Sequence, residues 1–171
     1  MPTTARPQSE DLFYSNRFAL VFEGGPLQSS IVYGFQSLSM PEQSIEQMEY
    51  SEGIFTYSRI YPGRSSFGTV TCGKGVTKGD SQLAKWIRRA SEGWNYRSDV
   101  VIYQYHRTDL AGFIRYTDRT PSRKIRLYSA LPVRFKAGSD FDAMSSEISI
   151  QEIEIAYERF VIFDDEVEVK P

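Results

Sequence analysis

The stretch YPGRSSFGTVTCGKGVT, Tyr61–Thr77, is where the chain's pattern changes from strand to turn to strand to helix. Pro62 lacks a backbone donor and fixes its own φ, and Gly63 tolerates a positive φ, so the pair suits the centre of a tight turn. Phe67–Cys72 alternates as a short strand, which Gly73 and Gly75 release. A helix is expected over Ser81–Glu92, with Asp80 as its N-cap and Gly93 as its stop. Within it Leu83, Trp86, Ile87 and Ala90 recur at helical spacing and form one apolar stripe, while Lys85, Arg88 and Arg89 take the other faces.

Outward from this hinge the chain reads as strands. On the N-terminal side, Phe55–Tyr61 places Phe55, Tyr57, Arg59 and Tyr61 on one side, a Tyr/Arg-rich composition enriched at protein interfaces. Ser44–Tyr50 has no cleanly apolar face, since Ile45, Gln47 and Glu49 oppose Glu46, Met48 and Tyr50. Such a strand suits a surface meeting water or another subunit better than a sandwich core. Earlier still, Phe18, Leu20 and Phe22 alternate in a strand ended by Gly24, Gly25 and Pro26, and a second strand is expected over Ile31–Leu38 with Gly34 as a bulge or a place of close backbone approach.

Past the helix, Ser98–Tyr105 reads as a strand buried on both faces. Thr117–Lys124 reads as an exposed loop tip, and Ile125–Phe135 as a strand that Pro132 demotes to an edge or bulge. Glu147–Ile162 is expected to be one long strand, its change of apolar phase between Ile150 and Ile153 marking a β-bulge. Glu152, Glu154 and Glu158 would face water.

The chain's 171 residues fit one domain, with 20 Lys plus Arg balancing 22 Asp plus Glu, which argues against wholesale phosphate neutralisation. Eleven Phe and 11 Tyr favour strands. One cysteine, Cys72, and one histidine, His106, offer neither an intramolecular disulfide nor a histidine-rich metal site. Catalysis by Cys72 with His106 would need a positioned pair that no motif supplies, and no cofactor motif is found. No run approaches the ~18 apolar residues of a spanning helix, and the polar N-terminus is no secretory signal. Residues 1–16 read as a flexible N-terminal arm, 17–163 as the folded domain and 164–171 as a loose acidic tail. The basic cluster Arg115–Arg126 could touch nucleic acid, but solvated loop or subunit contact fits better, since no stacking platform accompanies it.

In order, the motifs are Gly34-Phe35 with Ser37-Leu38-Ser39; Glu46, Glu49 and Tyr50 before Glu52-Gly53; Pro62-Gly63-Arg64; Lys74-Gly75-Val76-Thr77; the helix with Leu83 and Trp86; Pro132-Val133 with Phe135; and the Ser145–Glu158 close. This series, over roughly Phe18–Phe163, resembles the tail tube protein family of contractile phage tails and phage-tail-like contractile injection systems. Met40 and Pro41 stand where the family has Gly-Leu, and Ala111–Lys124 is longer than its usual hairpin.

The resemblance implies a mainly β fold, an antiparallel barrel or sandwich with one helix, that assembles into hexameric rings sharing a continuous inner β-barrel. It implies a structural, non-enzymatic subunit of a hollow tube driven out by sheath contraction. The partners would be further copies of itself, the sheath, baseplate or tube-initiator and tail-terminator proteins, and a protein or DNA cargo in the lumen. Synthesis would be in the bacterial cytoplasm, without a membrane segment. Ring contacts are expected from Ser37, Leu38, Ser39, Met40 and Pro41, as a loop between rings, and from Tyr57, Arg59, Tyr61, Pro62, Gly63 and Arg64, with the Pro62-Gly63 turn at a channel rim. Glu46, Glu49, Glu152 and Glu154 are expected to line the channel. The alternatives are a tube-initiator layer at the baseplate and, from a different class, a monomeric ligand-binding β-barrel.

Overall fold

The computed structural model describes residues 15–27, 29–53, 56–79, 81–105, 121, 123–144, 146–164 and 167–168. The strands are β1 (Phe18–Glu23), β2 (Ser29–Tyr33), β3 (Ser37–Leu38), β4 (Gln43–Tyr50), β5 (Arg59–Phe67), β6 (Val70–Gly75), β7 (Ser98–Gln104), β8 (Arg123–Lys136), β9 (Ile150–Ala156), β10 (Arg159–Asp164) and β11 (Val167–Glu168), with α1 spanning Gln82–Glu92. Every pairing is antiparallel. Nine strands form one sheet in the order β2-β1-β7-β8-β9-β6-β3, with β10 and β11 branching from β8, and β4-β5 stand apart as a two-stranded sheet. The large sheet is open, ending at β2 and β3.

The fourteen-residue β8 holds this sheet together. Its first half lies between β7 and β10, and its second half pairs with β9. The change of partner falls at Ser129, whose φ of 55° is left-handed, an arrangement uncommon for a residue with a Cβ. Asp99 stitches this corner: its Oδ1 accepts from the Ser129 amide at 3.0 Å and its Oδ2 from Arg126 at 2.8 Å, while Arg97 donates to the Ser129 carbonyl at 3.1 Å. A second irregularity leaves Val133 extra on β8 between Pro132 and Arg134, the bulge expected of Pro132.

Alternation sends Leu20, Phe22, Val100, Ile102, Ile125 and Leu127 from one half of the sheet, and Val70, Cys72, Ile153 and Ile155 from the other, into one core closed by Leu83 and Trp86 of α1. Fully burying side chains of this size stabilises by roughly 1.5–3 kcal/mol each. Trp86 sets its ring edge-on to Phe22 at 5.3 Å and donates its indole N–H to the Tyr96 carbonyl at 2.6 Å, so its one polar atom is satisfied. Ser81 occupies the N-cap position without a side-chain cap bond, and Gly93 ends the helix in the left-handed conformation at φ 76°. Asp80, expected as the cap, lies outside the described residues.

Several boundaries differ from the sequence reading. Ile31–Leu38 is two strands in different parts of the sheet, β2 beside β1 and β3 beside β6, with Gly34 between them. Phe67 ends β5 instead of opening β6, and Gly73 and Gly75 lie inside β6. Glu147–Ile162 is not one bulged strand. β9 pairs with β6 in unbroken register, and Tyr157 and Glu158 separate it from β10. The phase change arises because Ile148 precedes the strand and is exposed, while Gln151 takes the buried position before Ile153. In the C-terminal segment Val167–Glu168 form β11 against β10, and Asp164 pairs with Arg123 at 3.2 Å. Residues 1–14 of the arm, His106 and residues 106–120 lie outside the described residues.

Candidate assembly surface

β4 and β5 form a hairpin that pairs with no other strand among the described residues, and every residue of β4 is exposed. Ile45, Met48, Tyr50 and Tyr61 are exposed on it, and Ile60 is 63% exposed. An isolated two-stranded hairpin is marginal in water, and its outer edges carry unpaired backbone donors and acceptors. Its free end closes through Ser51 and Ser58, whose hydroxyls lie 2.8 Å apart.

Pro62 and Gly63 are not a turn. Both lie within β5, where Ile45 pairs with Ser65 but Gln47 pairs with Pro62, so β5 carries one extra residue opposite Glu46. A β-bulge absorbs a proline that a regular ladder would reject, and glycine fits beside it for lack of space. A Cβ on Gly63 would lie 3.0 Å from the Glu46 carbonyl oxygen and 3.1 Å from the Glu46 Cβ. The expected turn for this pair is corrected accordingly: Pro62 and Gly63 lie within the strand, while Tyr57 lies outside it, before Arg59.

The hairpin's base is clamped. The Tyr157 hydroxyl accepts from the Glu42 amide and donates to the Glu42 carbonyl, both at 3.1 Å. The Tyr157 ring also meets Phe67 at 5.9 Å and Phe160 at 6.1 Å. Burial raises the Tyr157 pKa, with the Glu42 backbone bond acting against it. No spacing signal joins residues 115 apart in sequence, so Glu42, Tyr157 and Phe160 were not legible as a unit.

Ser37–Pro41 is not the free loop expected either. Ser37 and Leu38 form the edge strand β3 against Gly73 and Cys72. Ser39 is tied to Thr71, donating its amide to the Thr71 carbonyl at 2.9 Å and accepting the Thr71 amide on Oγ at 2.8 Å. Only Met40 and Pro41 remain as linker to β4, Met40 exposed.

Glu46 and Glu49 occupy opposite faces of β4, Glu46 on the side of Arg64 and Tyr61, Glu49 beside Ile60 on the side of Phe67. Glu152 and Glu154 share the face of β9 that points away from the core. There the register sets Glu154 against Arg134 and Glu152 against Lys136, and Thr69 donates to Glu154 at 2.7 Å. These four expected channel residues therefore do not form one surface: Glu152 and Glu154 stand together among cations, and only one of Glu46 and Glu49 can share a given side.

The remaining chemistry is structural. Cys72 is fully buried, and burial pushes its thiol up to about 12, the opposite of an activated nucleophile. Of the basic cluster, Arg123 donates to Gln104 at 3.2 Å and pairs with Asp164, and Arg126 pairs with Asp99 and with Glu23 at 3.3 Å. Arg159 stacks at 4.1 Å over the Tyr128 ring, which Arg126 also approaches at 5.2 Å. Among the described residues no helix is long and apolar enough to cross a membrane.

Several solved structures share this fold at low sequence identity. A chain of the extended sheath-tube complex of an extracellular contractile injection system designated PVC superposes with a TM-score of 0.74 at 22% identity, covering 91% of this chain and 94% of that one. A chain of the anti-feeding prophage tube-terminating cap gives 0.76 at 20% identity, covering 96% and 99%. An Hcp protein gives 0.56 at 12% identity, covering 89% and 94%. No curated protein matches the sequence. The model of the family described as T4-like virus tail tube protein gp19 matches residues 14–161, nearly the whole folded domain. With that match over an antiparallel β fold with a single described helix, the chain belongs to the T4-like virus tail tube protein family.

Proposed function

We propose that this tail tube subunit assembles into six-membered rings that stack into a hollow conduit, with the β4-β5 hairpin of each subunit pairing with its neighbours to complete a continuous inner barrel. The observation that carries the reading is the hairpin itself: eight exposed residues of β4 against a bulged β5, anchored at one end by Tyr157 and paired with no other described strand. A lone chain gains little from such an element. Ring closure pairs its edges and removes a template for disordered aggregation.

In this arrangement the face of β6, β8 and β9 that bears Thr71, Arg134, Lys136, Glu152 and Glu154 lines the lumen. Ring contacts come from Tyr57, Arg59, Tyr61 and Arg64 on the hairpin and from Met40 and Pro41 at its root. Shared strand pairing gives the rod its stiffness, which is what a conduit driven outward by a contracting sheath requires. The particle is a phage tail or a phage-tail-like injection system, built from subunits made in the bacterial cytoplasm, and the tube is a structural element, not a catalyst.

A chain of the anti-feeding prophage baseplate has a TM-score of 0.72 with this one at 19% identity, so an initiator layer at the baseplate is the second reading. Copy number in the assembled particle separates the two. Negative-stain microscopy of the purified protein tests the main reading: rings or tubes about the width of a six-subunit barrel are expected, and a persistent monomer at all concentrations and salts would overturn it.

A further inference from the structure

Helix α1 turns Leu83 and Trp86 into the core, so its opposite face looks out to solvent. Lys85, Arg88, Arg89 and Glu92 lie on that face, and all four are exposed. Arg88 pairs with Glu92 at 3.0 Å, which leaves that row neutral. Lys85 and Arg89 stand one turn apart in the neighbouring row, and among the described residues neither side chain has an ion pair or hydrogen bond. Just past the helix Trp94 is 73% exposed. Its amide donates to the Arg89 carbonyl at 3.1 Å, so the closing turn of the helix holds the indole beside the cations.

This arrangement is unfavourable for the isolated chain in two ways. Lys85 stands at the end of the first helical turn, where the macrodipole disfavours a cation, and that turn holds no carboxylate to offset it. Lys85 and Arg89 also repel each other as a like-charge pair at i, i+4. The chain as a whole carries more acid than base, 22 Asp plus Glu against 20 Lys plus Arg, so the excess of cations is local to this face. Unmatched cations beside an exposed indole form the composition that anchors interfaces, in which Trp and Arg are enriched. The sheet fixes where the face points. α1 packs on the core side of β8, whereas Thr71, Arg134, Lys136, Glu152 and Glu154 lie on the other side of the sheet. With that other side lining the lumen, the exposed face of α1 lies on the outside of the tube.

We propose that the outer face of α1 is where the tube docks its sheath, and that the sheath presents an acidic segment there, with carboxylates against Lys85 and Arg89 and an apolar side chain against Trp94. The proposal rests on the conduit reading above and assigns one of its contacts. Carboxylates at these positions relieve the repulsion between Lys85 and Arg89 and supply the negative charge that the first turn lacks. From Lys85 to Trp94 the face runs on the order of 14 Å, the length of about two to three helical turns. Exposed ion pairs are individually weak. That suits a contact which positions the sheath around the tube and is given up when the sheath contracts.

Zero-length carbodiimide crosslinking of the intact, extended particle tests the contact, because it joins an amine only to a carboxylate that touches it. Crosslinks from Lys85 to Asp or Glu of the sheath protein are expected when the peptides are mapped by mass. Crosslinks from Lys85 to another copy of this chain, or none in fully sheathed particles, overturn the contact and leave the conduit reading standing. A particle whose tube does not contain this chain overturns both. Lys85→Glu then separates docking from folding, since the two respond with opposite signs. Glutamate at this position favours the helix dipole and pairs with Arg89, so the melting temperature of the subunit is expected to hold or rise slightly. The fraction of tubes that carry sheath is expected to fall roughly tenfold, as a like charge placed against an acidic partner does. Lys85→Arg is expected to keep the sheath. Full sheathing of Lys85→Glu tubes overturns the proposal, as does an equal loss with Lys85→Arg.

Discussion

Replacing Tyr157 with Phe removes one oxygen and tests whether the β4-β5 hairpin is held by its base. The ring contacts with Phe67 at 5.9 Å and Phe160 at 6.1 Å survive the change, so the hydroxyl is the variable. Two hydrogen bonds to Glu42 are lost, both 3.1 Å long. A typical net contribution of 0.5–1.5 kcal/mol each gives about 1–3 kcal/mol. Glu42 is exposed, so water replaces part of this, and about 1–2 kcal/mol is the working figure. That free energy corresponds to a roughly 5–30-fold change in an opening equilibrium. Beyond its base, where Phe67 meets Tyr157 and Phe160, the hairpin pairs with no other described strand, so the loss should appear locally. Hydrogen exchange read by mass spectrometry should accelerate at the hairpin's base, where the Gly68 amide bonds the Glu42 carbonyl at 3.2 Å, and much less in β7 or β9. The melting temperature should fall by only a few degrees. Tube yield should drop, since a swivelling hairpin cannot hold register with its neighbours. Unchanged exchange at the base, or an equal acceleration throughout the core, would refute the clamp.

Gly63→Val should strain the bulge, where a Cβ comes within 3.0 Å of the Glu46 carbonyl oxygen, at about 1–3 kcal/mol confined to the hairpin; a melt compared with a sedimentation assay should show assembly impaired far more than folding. Asp99→Ala should destabilise the whole domain by about 1–3 kcal/mol in chemical denaturation, because the left-handed Ser129 corner loses its amide acceptor and Arg126 a carboxylate partner. Cys72 should resist iodoacetamide in the native protein and react on unfolding. Its thiol is raised from 9.0 to about 12 by burial, so the folded state favours the neutral form. That contribution to stability is fully present below pH 9 and is lost as pH climbs from there toward 12. Denaturant midpoints that stay flat from pH 8 to 11 would contradict it; Cys72→Ser should flatten the thiol's part of the slope, leaving those of Tyr103 and Tyr157, whose pKa values burial raises in the same sense.

The parts of the fold legible in the residues are those governed by local pattern. Phe18, Leu20 and Phe22 alternate, and two of them reach the core. Leu83 and Trp86 fall on the helical stripe and are buried, and Gly93 stops the helix as its type suggests. Even the lack of a clean face on β4 was readable, and it carried the correct consequence that this strand serves no private core. The misreadings have one cause. Pro62-Gly63 and the Ile150–Ile153 phase change were each assigned the commoner local meaning, a turn and a bulge, whereas the structure uses a bulge at the first and a strand start at the second. A proline in a strand and a proline in a turn have the same φ, and only the partner strand distinguishes them.

By itself the sequence determined a mainly β chain, the helix with its stripe, and the unsuitability of β4 for burial, because alternation, helical periodicity and side-chain chemistry act over a few residues. Tertiary structure decided where β8 changes partner, that Asp99 fixes that corner, that Glu152 and Glu154 stand among cations, and that Tyr157 holds Glu42 from 115 residues away. These features depend on register between strands distant in the chain, and a one-residue shift in any pairing would exchange the faces and dissolve them.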